Sequence, residues 1–274
     1  IRITQNRITE KEAIVQAGCP VAPYIVAETY EKLVEQIDSL GFPCIVKTAR
    51  GGYDGKGQQL LNSKEDLPLC ENLFEHSQCI AEGFVSFKKE ISVIVQRNGY
   101  GDTKCLPVGE NIHVNHILHE TIVPARIEQH TTAKAIEAAM NIANHLQLIG
   151  TLAIEMFVLE NGEILINECA PRPHNSGHYS IEGCNISQFA QHIRAVCGWP
   201  LREPKLWAPT IMVNLLGQHV VPLINSISKD PDWSIHLYGK LEAKVNRKMG
   251  HVTIITDDIK ATLNQISNSG IWSE

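Results

Sequence analysis

"TLAIEMFVLENGEILINECAPR", residues 151–172, reads as two apolar runs joined by Asn161-Gly162. Asn-Gly between such runs is the strongest short-range signal for a β-hairpin. A two-residue loop at 161 and 162 sets Glu160 opposite Glu163; counting outward, Val158 faces Leu165, Phe157 faces Ile166 and Glu155 faces Glu168. Directly opposed residues have Cβ atoms about 5 Å apart, and like charges there destabilise the ladder. Two carboxylates among apolar neighbours therefore need either a shared proton or a cation between them. Magnesium bound by a few carboxylates together with substrate phosphates is the usual form of the second arrangement. A register slipped by one residue, or a pair at a wet sheet edge, is the competing reading.

"KTARGGYDGKGQQ", residues 47–59, raises a matching question, because it packs four glycines and two lysines behind the apolar run Cys44-Ile45-Val46. Glycines let a backbone approach a ligand closely, and successive amide N–H groups in such a loop form a nest for anions. The P-loop pattern fails: Gly51 and Gly55-Lys56 are separated by three residues rather than four, and Gly57 stands where Ser or Thr is required. The dinucleotide fingerprint fails too, since Gly55-Lys56-Gly57 runs into Gln58-Gln59-Leu60-Leu61, a short strand rather than a helix. What remains is a glycine-rich hairpin between two strands, either an ordinary mobile tip or a flap that closes over phosphates. A phosphate-covering flap and a magnesium pair in one chain imply a nucleoside triphosphate.

With 274 residues and 43% hydrophobic composition, the chain can bury a large core in one large domain or two ordinary ones. Its net charge of -6, spread without long runs of one sign, excludes a nucleic-acid or membrane footprint and leaves small molecules as the expected partners. Eight cysteines without a CxxC pair, several of them inside apolar strands, read as reduced core residues of a cytoplasmic protein. No stretch approaches membrane-spanning length, and the first residues lack the apolar centre of a secretory signal. The sequence does not begin with Met and reads as a piece of a longer protein.

Thr9-x-x-Glu12 is a capping box for a helix ending at Gly18, and Leu33, Val34, Ile37 and Leu40 form the stripe of a second helix ending at Gly41. Residues 79–85 and 90–96 read as strands, the second placing Ile91, Val93 and Val95 on one face and Glu90 on the other. Residues 131–147 form an alanine-rich helix. A composition break near Gly198-Trp199-Pro200 marks the domain boundary. The expected architecture is mixed α/β, or α+β, with largely antiparallel sheets.

Taken together, Lys47 before GGYDGKG, the run Glu82-Gly83-Phe84-Val85, then Glu155, then "INECAPRPHNSGH" resemble the ATP-grasp enzymes. The last string is similar to that of the 5-(carboxyamino)imidazole ribonucleotide synthetase family, and the likeness runs from "QNRITEKEA" to "YGK" and "NRKMGH". The resemblance implies an ATP-grasp domain over residues 1–200, a flap-bearing subdomain at about 43–87 and a C-terminal domain over 201–274. It implies ATP- and bicarbonate-dependent carboxylation of 5-aminoimidazole ribonucleotide by way of carboxyphosphate, with ATP and Mg2+ as cofactors and a homodimer in the full-length form.

Carried over by residue, the resemblance puts nucleotide contacts on Arg7, Lys47, the flap residues Gly52, Tyr53, Asp54, Gly55, Lys56, Gly57 and Gln58, and the segment Glu82, Gly83, Phe84 and Val85. Glu90 takes the ribose hydroxyls, His113 lies near the nucleotide, and Asn167 and Glu168 close the phosphate side, with Glu155 and Glu168 on the metal. Lys47 and Arg172 are the implied catalytic cations, Arg172 at the carboxyphosphate. His174, Asn175 and His178 line the ribonucleotide site, and Lys240 and Arg247 hold its 5′-phosphate. Family members carry a further domain ahead of Gln5-Asn6-Arg7, which this sequence is expected to lack. The competing readings are therefore another acyl-phosphate ATP-grasp enzyme, of the formate-dependent transformylase or biotin carboxylase type, and a nucleotide-binding fragment without turnover.

Overall fold

The computed structural model describes residues 2–51, 57–75, 77–229 and 231–273. Its first helix, α1 (Arg7–Gln16), starts earlier than the capping-box reading allows: the side chain of Asn6 caps it, accepting from Ile8 N. Asn is as good a cap as Thr, and Thr9 instead donates its hydroxyl to Ile3 O. Then follow β1 (Tyr24–Ala27), α2 (Tyr30–Leu40), β2 (Cys44–Thr48), β3 (Gln58–Leu61) and β4 (Cys79–Gly83). These four strands form one antiparallel sheet in the order β1-β4-β2-β3, backed by α2 through Leu33 and Ile37. The small subdomain thus begins with β1, some twenty residues before the expected 43, because β1 supplies the edge partner of β4.

A second sheet takes β5 (Lys89–Arg97), β6 (Thr103–Cys105), β7 (Gly109–Val114) and β8 (Ile117–Val123). Past α3 (Gln129–His145) it gains β9 (Gly150–Val158) and β10 (Ile164–Ala170). After α4 (Ser180–Gly183) and α5 (Gln188–Val196) come β11 (Thr210–Leu216), α6 (Val220–Ser226), β12 (Ser234–Leu237), β13 (Lys248–Ile255) and α7 (Ile259–Asn268). Among the described residues the order is β10-β9-β5-β7-β8-β11-β13-β12, with β6 beside β5. The C-terminal strands therefore extend the same sheet through the β8/β11 pairing instead of building a separate one. The alanine face of α3 (Ala135, Ala138, Ala139 and Ala143) packs closely on Ile91, Val93, Leu152 and Ile154 of that sheet. None of the eight cysteines is in a disulfide, and all but Cys197 are buried or half-buried.

The hairpin of residues 151–172 reaches the expected carboxylate pair by a different route. Leu159 N donates to Glu163 O at 2.8 Å and Gly162 N to Leu159 O at 3.0 Å, so the loop has three residues, a turn closed by Gly162 at φ +79°. Val158 consequently faces Ile164 and Phe157 faces Leu165, one residue away from the two-residue-loop register. A bulge at Asn167 then restores the count, and Glu155 stands opposite Glu168. The two irregularities cancel.

Replacing Gly162 by Ala forces an L side chain into the left-handed region with its Cβ 3.2 Å from Thr131 Oγ1. The expected loss is about 1–2 kcal/mol of stability, read as a lower urea midpoint at unchanged slope.

Candidate active site

Helix α1 turns three charged side chains toward the strand ends rather than to water. Glu10 and Lys11 are 4% and 1% exposed. Lys11 Nζ donates to Asn167 O at 3.1 Å and Ile166 O at 3.4 Å, pinning the bulge, and lies 3.4 Å from Glu82 Oε2. Lys47 donates to the same Glu82 oxygen at 3.0 Å. Burial pushes the Glu82 carboxyl up, but Lys47 and Lys11 together outweigh it and hold it below its ordinary value. At Glu10 burial wins instead and takes the carboxyl up to about 8, opposed first by the bond it accepts from Cys169 N and then by the charges of Arg7 and Lys11. The sequence reading took Arg7 and Lys47 and missed Glu10 and Lys11, since a charged pair near a helix start reads by default as a solvated face.

The opposed carboxylates lie beside this group. Burial, then the charge of Glu168, pushes Glu155 up to about 7. Arg7 Nη1 approaches Glu168 Oε2 at 3.4 Å and His174 Nε2 approaches Glu155 Oε1 at 3.5 Å, loose contacts that leave the pair under-compensated. Among the described residues no group of three His, Cys, Asp or Glu side chains forms a metal cage. Two hard oxygen donors at the edge of an open site fit Mg2+, which completes its shell with water and phosphate oxygens, and do not fit a closed structural metal.

Glu90 on β5 contacts His113 Nδ1 on β7, and both line a cavity of about 600 Å³ with Phe87, Lys88, Asn111 and His116. Burial pushes His113 down, yet the Glu90 carboxylate outweighs it and raises its affinity for a proton. The cavity opens at the extended connector 84–87 between the two sheets, anchored where Gly83 N donates to Pro23 O and Phe84 N to Pro43 O. Val85 is half-buried in the same connector. Gly57 O accepts from Thr48 N, and Gln58 stands opposite Lys47 on β3; Gly52, Tyr53, Asp54, Gly55 and Lys56 lie outside the described residues.

The string after β10 folds back against β5, where Ser176 Oγ meets Ser92 Oγ at 2.8 Å and His174 Nδ1 at 2.9 Å. Arg172 is exposed, its guanidinium donating to Pro173 O. Among the described residues, the buried Asn175 Nδ2 takes no hydrogen-bond partner. His178 packs 4.7 Å from His251, which stacks at 4.5 Å on His236, and Tyr238 donates to or accepts from His251 Nδ1 at 2.9 Å. Glu182 holds His236 Nε2 at 2.6 Å. The expected phosphate residues are not brought onto this string: Lys240 donates to Lys248 O and Arg247 to Glu242 O, both on the exposed segment after β12. The link comes from Tyr238 of that segment, 6.2 Å from the His178 ring. His236, Tyr238 and His251 carry no local motif, and only the β12/β13 register, His236 opposite His251, brings them together.

The strand ends carrying Lys47 and Glu82, the connector leading to Glu90 and the facing Glu155/Glu168 pair belong to an ATP-grasp fold. Residues 12–189 match the ATP-grasp domain family, and residues 210–265 match the phosphoribosylaminoimidazole carboxylase C-terminal domain. The N5-carboxyaminoimidazole ribonucleotide synthase of Bacillus subtilis is 48% identical over 270 residues, 97% of this chain and 70% of that protein. That of Staphylococcus aureus strain COL is 46% identical over 263 residues, 96% of this chain and 70% of the relative. A crystal structure of the ADP complex of an N5-carboxyaminoimidazole ribonucleotide synthetase superposes with a TM-score of 0.95 at 51% identity, covering 99% of this chain and 72% of the other. The Aspergillus clavatus enzyme with ADP and 5-aminoimidazole ribonucleotide superposes at 0.90 with 30% identity, over 98% and 72%. The chain belongs to the N5-carboxyaminoimidazole ribonucleotide synthase family.

Changing Lys11 to Met keeps the length of the side chain and removes its charge, taking away one of the two lysines on Glu82 and the bonds from Nζ to Ile166 O and Asn167 O. The expected cost is about 3 kcal/mol of unfolding free energy together with weaker ADP binding, measured by denaturation and by calorimetric titration.

Proposed function

We propose that the chain converts ATP, bicarbonate and 5-aminoimidazole ribonucleotide into ADP, phosphate and N5-carboxyaminoimidazole ribonucleotide, and that the residues described above divide this work. The observation that carries the proposal is the Glu155/Glu168 pair, flanked on one side by Lys47 and Glu82 and on the other by residues 171–178. The nucleotide lies between the two sheets, with its ribose hydroxyls on Glu90, its phosphates toward Lys47, and Asn167 and Glu168 at the reacting end. Glu155 and Glu168 hold Mg2+, which when bound neutralises phosphate charge and orients the γ-phosphoryl group.

Bicarbonate oxygen attacks the γ-phosphorus and the bond to the β–γ bridging oxygen breaks, giving carboxyphosphate and ADP. The 5-amino nitrogen then takes the carboxyl carbon, phosphate leaves with the electron pair of the C–O bond, and the amine gives up a proton. Arg172, exposed and bound among the described residues to the neighbouring Pro173 carbonyl, swings onto the phosphoryl oxygens as charge builds there. His174 and Asn175 line the ribonucleotide site with His178, while Lys240 and Arg247, exposed and bonded to Lys248 O and Glu242 O, reach its 5′-phosphate only by leaving those carbonyls. Unpaired cysteines fit a reducing cytoplasm, and the exposed apolar stripe of Phe189, Ile193 and Val196 on α5 suits a homodimer.

ADP release measured in bicarbonate buffer, with and without 5-aminoimidazole ribonucleotide, tests the reaction. Stimulation by the ribonucleotide is expected; stimulation by formate or biotin instead, or no release at all, overturns the reading. Glu155→Gln and Glu168→Gln are each expected to abolish magnesium-dependent release, and retention of full magnesium dependence in both refutes the metal assignment. Removing Arg172 is expected to slow ADP release about a hundredfold whether or not the ribonucleotide is present, equivalent to about 3 kcal/mol of transition-state stabilisation. His178→Ala, by contrast, is expected to raise the ribonucleotide KM; equal losses of basal release in both variants contradict this division of roles.

A further inference from the structure

Gln188, the first residue of α5, is 0% exposed and spends its whole amide on the string of residues 174–178. Its Oε1 accepts from His174 N at 2.8 Å, and its Nε2 donates to His174 O at 2.6 Å. A backbone N–H can only donate and a backbone carbonyl can only accept, so these two bonds fix which end of the amide is nitrogen. The same Nε2 lies 3.0 Å from His178 Nδ1. Facing a donor, Nδ1 must present its lone pair, and a neutral imidazole with a bare Nδ1 carries its proton on Nε2.

Three further observations hold this arrangement in place. Gln188 N is itself anchored on Ser180 Oγ at 2.9 Å. A Cβ at Gly177 would meet Gln188 Oε1 at 2.5 Å, so the close approach of amide and string requires glycine there. The faces of the His178 ring are taken by Phe189, stacked at 5.6 Å, and by His251. Burial, with the charges of His236, Lys248 and Arg172, pushes His178 down to about 4, so the ring is neutral near pH 7. Among the described residues the His178 ring makes its hydrogen bond through Nδ1.

We propose that Gln188 is a positioning residue that locks His178 as its Nε2–H tautomer, and that this N–H donates to the bare ring nitrogen of the aminoimidazole. The second half rests on the reading that places the ribonucleotide beside His178. It deepens that reading by assigning a polarity. A donor at Nε2 pairs with the ring nitrogen, which has a lone pair and no hydrogen, and offers nothing to the N–H bonds of the exocyclic amine. The amine is left free to take the carboxyl group, and His178 is excluded as the base that removes its proton.

The test uses the full chain with 15N-labelled histidine, the His178 signals being identified by their loss in His178→Gln. Long-range proton–nitrogen correlation is expected to show a protonated Nε2 and a bare Nδ1; a proton on Nδ1 overturns the lock without any variant having to fold. Gln188→Glu puts an acceptor opposite Nδ1 and is expected to move the proton there, with a rise of about tenfold in the ribonucleotide KM beyond any change in the ATP KM. An unchanged tautomer or an unchanged ribonucleotide KM in that variant counts against the proposal. Adding the ribonucleotide to the wild-type chain is expected to shift the Nε2 proton. If the ribonucleotide stimulates ADP release but leaves that proton unmoved, the ring contact is wrong; if it fails to stimulate release, the reading of the site falls and takes the ring contact with it, while the tautomer is still decided by the spectrum of the free protein.

Discussion

The carboxylate of Glu82, shared by Lys47 and Lys11 and almost wholly removed from water, is the constraint around which the two sheets are assembled. A buried carboxylate costs several kcal/mol in desolvation unless cations and donors surround it. Here one cation comes from the neighbouring strand of the same small sheet and the other from a helix whose remaining donors grip the edge strand of the large one. Neither sheet can place its own share of the site correctly unless the other is docked. The arrangement adds little net stability compared with an apolar contact of similar volume, and what it supplies is registration: β4, β10 and α1 meet in one way only.

That registration explains why so irregular a hairpin is retained at the centre of the site. The bulge at Asn167 leaves backbone carbonyls that the ladder does not use, and Lys11 takes them. Without the bulge the three-residue turn at 160–162 would set Glu168 across from a different residue. The opposition of two acidic side chains is thus maintained by one left-handed glycine, one extra residue and one lysine, each correcting for another.

Much of this was legible in the sequence. Strand and helix periods, Gly41 as a helix stop and the Asn-Gly turn located the elements, and the acidic pair followed from counting. The count succeeded through two compensating departures, since turn type depends on φ at Gly162 and bulges depend on what binds the freed carbonyls, neither of which a pattern of apolar residues encodes. The short motifs around Lys47, Glu82 and residues 171–178 were visible because local spacing carries them. Lys11, Glu10, Gln188 and the His236/His251 stack were not, because their partners are brought in by tertiary contacts from 10 to 159 positions away in the chain. The start of the small sheet was misplaced for the same reason: β1 has too few residues to announce itself and is defined by β4.

The continuous hydrogen bonding from β10 to β12 also has a mechanical side. With the C-terminal strands laced to β8, the end carrying His236 and His251 and the carboxylate end of the large sheet form one plate, whose bending would require breaking ladder bonds. The small sheet is joined to that plate by the connector 84–87 and is clamped at Glu82, close to one side of its four strands. Its β3 edge lies two strand spacings beyond β4, roughly 10 Å from the clamp. A tilt of about 10° about Glu82 would carry the β3 edge by roughly 2 Å, enough to make or break a hydrogen bond at the far end.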